Sequence, residues 1–241
     1  MLVTRPEPDA SDTAARLGAL GIAPVLAPML VHETLSHTLP DPAGFAALAL
    51  TSTNTLRALT ERGALERYQH LPAYCVGDRT AAAAKASGFT KVQSAAGSFA
   101  DLTELLAHAS VTGPILYLAA RDRSADLAKS LAPFGRMVIT VPVYAMVAVK
   151  GLPDGVAKDL AGGSIAAVLF YSRRTAATFV SLLGDEFDRA ARSRPVMLCL
   201  SEAVAEPLMD AHFVRIGLAD HPSEEAMMGL ALSFSRDQNA H

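Results

Sequence analysis

Several chemical signatures are missing from these 241 residues, and each absence removes a class of function. No GxxxxGK[ST] phosphate loop is present, and TRPEPDAS follows the first apolar run where a GxGxxG dinucleotide fingerprint would have to stand. No GxSxG elbow is available to hold an activated serine. The seven histidines (His32, His37, His70, His108, His212, His221 and His241) fall at no ligand spacing, and neither Cys75 nor Cys199 has a CxxC partner. No metal is therefore expected, and an enzyme built on this chain would work without a cofactor.

Charge and apolar runs are also modest. Lys and Arg number 21 against 24 Asp and Glu, a net charge of −3, so no nucleic-acid partner is expected and no basic helix–turn–helix stretch is visible. No apolar run approaches the roughly 18 residues that a membrane helix requires. The opening MLVTRPEPDA meets charge at Arg5 and proline at Pro6, without the apolar centre of a signal peptide. Two cysteines fit a reducing compartment, as small buried hydrophobes. A cytoplasmic monomer is the expectation.

Hydrophobic residues make up 51% of the chain, enough for a sizeable core, and they are arranged in short runs that alternate with Ala- and Leu-rich amphipathic stretches. The runs predict strands at 2–4, 23–27, 47–51, 73–76, 91–93, 115–118, 137–141, 166–170, 196–200 and 213–216. The stretches predict helices over 8–20, 53–62, 79–86, 99–108, 123–131, 174–183, 202–210 and 223–234, with a frayed polar tail from Ser235 to His241. Such alternation, with few hairpin signals, predicts parallel α/β sheets.

Val138–Val149 (VITVPVYAMVAV) is the longest β-like run. Pro142 has no ladder N–H, so an edge strand or a crossing between two bodies is expected there. Val25–Leu35 (VLAPMLVHETL) carries Pro28 in a matching place. The two read as an antiparallel pair of connectors, 29–35 and 141–149, between a discontinuous lobe of residues 1–28 plus 150–241 and an inserted lobe of residues 36–140. A cut into tandem halves near Gly113 is the alternative. Tyr144 would stand at the mouth of the cleft between the lobes.

A duplication underlies this division. At an offset of 114, Leu17, Gly21 and Pro28 fall on Leu131, Gly135 and Pro142. At 120, Ser52 and Thr55 fall on Ser172 and Thr175; at 124, Cys75, Ala81 and Phe89 fall on Cys199, Ala205 and Phe213. The period is domain-sized, far longer than that of a solenoid.

Ligands of open α/β sheets bind beyond the carboxyl ends of the strands. Thr4-Arg5, Thr51-Ser52, Gly77-Asp78, Ala120-Arg121-Asp122, Ser172-Arg173 and Ser201-Glu202 stand there. Each serves equally as a helix cap, but together they supply hydroxyls, amide donors and arginines suited to a polycarboxylate. Arg5 and Arg121 each follow a strand end, suited either to bidentate carboxylate binding or to an ion pair with Glu7 or Asp122. Tyr144, protonated near neutrality, is a candidate proton donor or a packed connector residue.

TRPEPDA with PVLAPML, TSTNTLRAL, YCVGDRTAAAAKASGF, VPVYAMV, FYSRRTAATF and CLSEAVAEPL together resemble uroporphyrinogen-III synthase, over about residues 1–234. The resemblance implies two flavodoxin-like parallel-sheet lobes on a two-stranded antiparallel connector. It implies a cofactor-free lyase that takes hydroxymethylbilane, loses its terminal hydroxyl as water and closes the macrocycle with the last pyrrole inverted, through an azafulvene and a spirocyclic pyrrolenine. The family's tyrosine falls on Tyr144, and its cleft-lining positions fall on Ser52, Thr80 and Ser172. A threonine found in some members falls near Val204, with Ser201 as the nearest substitute. Arg5, Gly77 and Arg121 complete the expected substrate contacts. The competing expectation is a non-catalytic two-lobe sensor or carrier for a polyanion.

Overall fold

The apolar runs become strands because the central ones are covered on both faces: β4 (Ala47–Leu50), reading ALAL, is wholly buried. The computed structural model of the chain describes residues 1–123, 125–183 and 187–239. The other strands are β1 (Leu2–Val3), β2 (Val25–Leu26), β3 (Leu30–Thr34), β5 (Ala73–Cys75), β6 (Val92–Ser94), β7 (Ile115–Ala120), β8 (Val138–Ala148), β9 (Ala167–Phe170), β10 (Val196–Cys199) and β11 (Ile216–Leu218). The helices are α1 (Asp9–Ala19), α2 (Thr53–Glu61), α3 (Asp78–Ala86), α4 (Phe99–Ala107), α5 (Leu127–Leu131), α6 (Val156–Gly162), α7 (Arg173–Leu183), α8 (Arg189–Arg192), α9 (Glu202–Asp210) and α10 (Glu224–Asn239).

Two sheets result, in the orders β11-β10-β9-β1-β2 and β3-β8-β7-β4-β5-β6. The first is parallel throughout, and so are the ladders from β8 to β6 in the second. β3 lies beside β8, and the bonds Leu35 N to Val143 O (2.9 Å) and Val149 N to Met29 O (3.1 Å) run in opposite chain directions along the two strands. The chain divides into two compact units, Met1–Val31 with Val147–His241, and His32–Met146. Both boundaries fall inside strands, β3 and β8.

The duplication is visible in the topology. β2-β1-β9-β10-β11 and β8-β7-β4-β5-β6 are the same arrangement, with the first pair of strands supplied from the other end of the sequence in one case. Cys75 and Cys199 each end the strand next to the far edge, fully buried. Burial pushes their thiols up to about 11 and about 12.

Each sheet is covered on both faces. Leu2, Val168, Phe170 and Met197 pack into one cluster while Val3, Leu169 and Leu198 pack into another, as the period-two alternation of strand side chains requires. The second sheet does the same, with Leu48, Leu50, Leu116 and Leu118 on one face and Ala47, Ala49, Ile115 and Tyr117 on the other. Each fully buried Leu or Ile contributes about 1.5–3 kcal/mol relative to exposure.

Several elements depart from expectation. The helix expected over 123–131 begins only at Leu127, because the Asp126 carboxylate caps it by accepting from Ala128 N and Lys129 N. The last strand starts at Ile216 rather than 213, since Phe213 N closes the turn after α9 on Leu208 O and its ring fills the core. The polar stretch from Ser235 is helical as far as Asn239, carried by α10, whose Met227, Met228 and Ala231 are buried at helical spacing; residues 240–241 of that expected frayed tail lie outside the described residues. α6 and α8 had no counterpart in the sequence reading.

Candidate active site

The carboxyl ends of β7, β4 and β5 lie along one edge of the second sheet, followed by Arg121, Ser52, Gly77 and Thr80, and Tyr144 stands on β8 at its last residue paired with β7, opposite Ala120. All belong to the unit His32–Met146.

Tyr144 owes its direction to a β-bulge. Ala119 pairs with Pro142 and Ala120 with Tyr144, which leaves Val143 as an extra residue on β8. Alternation is broken there, so Val141 and Val143 face the same core cluster as Tyr144 and Met146. Pro142 was expected on an edge or at a crossing, and β8 does pass from one unit into the other; the bulge beside Pro142 is where a residue without an N–H is accommodated. Tyr144 is 5% exposed, and its carbonyl accepts from Arg121 N at 2.8 Å. Burial pushes the phenol above its usual value, the Ser52 hydroxyl draws it part of the way back, and Tyr117 adds a further upward push. The phenol therefore keeps its proton near neutrality.

Ser52 is the N-cap of α2, accepting from Asn54 N at 3.1 Å from an extended backbone. Gly77 is the N-cap of α3 and is also extended, so its torsion angles suit any residue; an added Cβ would meet Gly97 only at 3.8 Å. Thr80 lies buried in the first turn of that helix. These two N-termini present amide donors at the sheet edge. Arg121 is about half exposed, with Nε 3.7 Å from an Asp122 carboxylate that is as exposed as itself. Such a pair is worth little in water and yields readily to another anion.

The remaining three expected residues belong to the other unit. Ser172 Oγ is hydrogen-bonded to Thr175 Oγ1 at 2.7 Å and accepts from Thr175 N at 3.2 Å. Ser201 caps α9 from an extended backbone without a side-chain cap bond. Arg5 is held by its own chain: Nη1 lies 2.5 Å from Glu224 Oε2 and 3.2 Å from Thr13 Oγ1, Nη2 lies 2.9 Å from Asp9, and the guanidinium stacks 4.1 Å over the Tyr171 ring. Its partners are Asp9 and Glu224, not Glu7. A ligand carboxylate would have to displace two protein carboxylates from it. Nor are Arg5 and Arg121 at the same depth: Leu2 pairs with Val168 as Leu116 pairs with Leu48, so Arg5 corresponds to Ala119.

A protein-family model described as HEM4, uroporphyrinogen-III synthase, matches residues 11–229. The chain belongs to the uroporphyrinogen-III synthase family. Among solved structures, a uroporphyrinogen-III synthetase from Helicobacter pylori 26695 is similar, with a TM-score of 0.63 and 22% identity, covering 97% of this chain and 98% of that one. A mutant uroporphyrinogen III synthase from the extremely thermophilic bacterium Thermus thermophilus gives a TM-score of 0.56 at 17% identity, over 100% and 99% of the two chains. The likeness is one of fold, two sheets of mostly parallel strands. No curated protein matches in sequence.

Within this uroporphyrinogen-III synthase fold the position expected for a threonine is Val204, a buried side chain with no hydroxyl to offer. Two residues beside Tyr144 were missed in the sequence. Tyr117 OH is hydrogen-bonded to Thr51 Oγ1 at 3.0 Å and lines a cleft of about 180 Å³ with Phe99, Asp122 and Arg123. His32 stacks on Tyr144, with ring centroids 5.4 Å apart and planes 17° apart. Tyr117 reads as one more apolar strand residue, and His32 lay in the connector run VLAPMLVHETL without being singled out, 112 positions from its partner. Among the described residues no cluster of His, Cys, Asp or Glu could hold a metal, and no helix is long and apolar enough to cross a membrane.

Proposed function

We propose that this chain acts as a cofactor-free hydro-lyase on hydroxymethylbilane, with Tyr144 as the proton donor. The observation that carries the reading is a buried, neutral phenol at the carboxyl edge of a parallel sheet, beside a serine hydroxyl and two helix N-termini. The terminal C–O bond breaks as the pyrrole nitrogen pushes electrons in, and hydroxide leaves with the Tyr144 proton as water. The pyrrole N–H proton, lost as the azafulvene forms, restores the phenol. A new C–C bond at the substituted carbon of the last ring then gives the spirocyclic pyrrolenine, whose reopening and reclosure invert that ring. Each step moves only protons and electron pairs, with water as the leaving group, so the chemistry calls for no redox partner.

The substrate's acetates and propionates suit the amide donors of α2 and α3, the Ser52 and Thr80 hydroxyls and the loosely paired Arg121. Ser172 and Ser201 offer donors of the same kind in the other unit, while Arg5 serves to hold its own strand end. β3 and β8 are the connector segments between the units on this reading, and the protein works as a cytoplasmic monomer. Because the bilane also cyclises spontaneously without inversion, positioning of the chain is the larger share of the task. Supplying freshly made hydroxymethylbilane and separating the products tests the assignment. Type III isomer above the spontaneous background supports it; type I alone, at the background rate, refutes it.

A further inference from the structure

The ring behind Tyr144 is a histidine, although an apolar side chain would fill the same space. His32 is 1% exposed at its side chain. Its Nε2 lies 2.9 Å from Thr34 Oγ1; Thr34 in turn bonds to Glu61 Oε2, and Arg57 Nε holds Glu61 Oε1 at 2.8 Å. Hydrogen-bond bookkeeping along this chain fixes the tautomer. Thr34 and Arg57 hold the Glu61 carboxyl below its ordinary value, so it is an acceptor only. The single Thr34 proton therefore goes to Glu61, and Thr34 Oγ1 accepts from His32 Nε2–H. Burial first, then Arg57, keeps the imidazole from taking a second proton. Nδ1 is left as a bare lone pair, and it is the one buried side-chain nitrogen or oxygen among the described residues without a hydrogen-bond partner. The Asn54 side chain also stands near the ring and weakly favours its protonated form.

We propose that His32 is a positioning residue for Tyr144: the Thr34–Glu61–Arg57 chain fixes its neutral ring flat behind the phenol, and a proton on Nδ1 dismantles that arrangement. This rests on Tyr144 being the donor. The charged and titratable groups facing His32 are Glu61 and Arg57 from α2 and Tyr144 from β8. A proton on Nδ1 would charge a buried ring beside Arg57, and these two effects outweigh what Asn54 and Glu61, 3.7 Å from Nε2, give back. The imidazolium must then turn out toward water, and the phenol loses its backing. Turnover should fall in acid, below the ordinary histidine range.

Two measurements on the whole chain separate this proposal from the functional reading. In the resting protein, nitrogen NMR of labelled histidine should show His32 as the Nε2–H tautomer, with the Tyr144 ring signals moving as His32 titrates and still in His32→Phe. An Nδ1–H tautomer, or Tyr144 signals blind to that titration, overturns the proposal. Isomer-resolved rates against pH should show an acid limb in the wild type that His32→Phe and His32→Gln both lack. His32→Ala should lower kcat about threefold to tenfold with KM little changed, the equivalent of one lost ring stack, and His32→Phe should lose less. Retention of the acid limb in both ring-replaced and amide variants, each checked for native circular dichroism, also overturns it. A wild type that forms no type III isomer refutes the functional reading instead, and the NMR arm then decides the pairing of His32 with Tyr144 by itself.

Discussion

Removing the Glu224 carboxylate tests the assignment of Arg5 as a latch rather than a ligand contact. Glu224 receives Arg5 at 2.5 Å, Tyr171 OH at 3.1 Å and Thr13 Oγ1 at 3.4 Å, and so ties α10 to α1 and to the ends of β1 and β9. The Arg5 and Glu224 side chains are 19% and 22% exposed. Breaking a fully buried pair costs about 3–5 kcal/mol and an exposed one about 0–1 kcal/mol. Asp9 stays on Arg5 at 2.9 Å, which relieves part of the unpaired charge. Glu224→Ala should therefore cost about 2 kcal/mol, and Glu224→Gln, which still accepts from Tyr171, roughly half of that. For a chain of this size the alanine variant should melt about 4–8 °C lower, read by circular dichroism or calorimetry. A change below about 0.5 kcal/mol, or a glutamine variant worse than alanine, would refute the latch.

Three further outcomes follow from the same geometry. Cys75 and Cys199, both fully buried with raised thiols, should resist alkylation in the folded chain and label fully only in denaturant; fast native labelling at either would contradict the packing. Ser98 and Asp101 form a reciprocal cap on α4 that holds the Asp101 carboxyl below its usual value. A depressed carboxyl stabilises the fold above its unfolded value and loses that contribution as pH falls through the folded one, so Ser98→Ala should flatten the acid side of the stability–pH curve. Gly88 sits at φ +91° with Gln69 Nε2 only 2.6 Å from where a Cβ would stand, and Gly88→Ala should lower the melting temperature; an unchanged melt would mean that Gln69 moves freely, against its 2.7 Å bond to Ser87 O.

Much of the fold could be read from the residues because period and turn chemistry are local. Most strands and eight helices lie where the apolar runs and stretches placed them, and the offsets of the duplication reappear as matching strand orders. Element ends were less legible. Asp126 moves the start of α5 and a turn onto Leu208 O delays β11, both decided by single hydrogen bonds. At the site, Ser52 and Gly77 stood out because they follow strand ends, a feature of one dimension, while Tyr144 stood out in the longest β-like run and Thr80 only through the family resemblance. Asp9 and Glu224 on Arg5, Tyr117 on Thr51 and His32 on Tyr144 are pairings across 4 to 219 positions that only the folded chain selects. The bulge at Val143 was hidden for a related reason, since it depends on what β7 offers opposite Pro142.

The central claim is that the Tyr144 phenol delivers the proton that lets hydroxide leave. General acids contribute about 10²–10⁴ in rate, and a phenol with a raised pKa belongs near the lower end, so Tyr144→Phe should slow type III formation between severalfold and about a hundredfold. Only a hydroxyl is removed, so circular dichroism and the melt should stay close to native. The deciding number is the initial rate of type III formation from fresh hydroxymethylbilane by Tyr144→Phe relative to the wild type, with the spontaneous type I rate subtracted. A marked fall in a folded variant is the predicted result, and an equal rate would contradict the account.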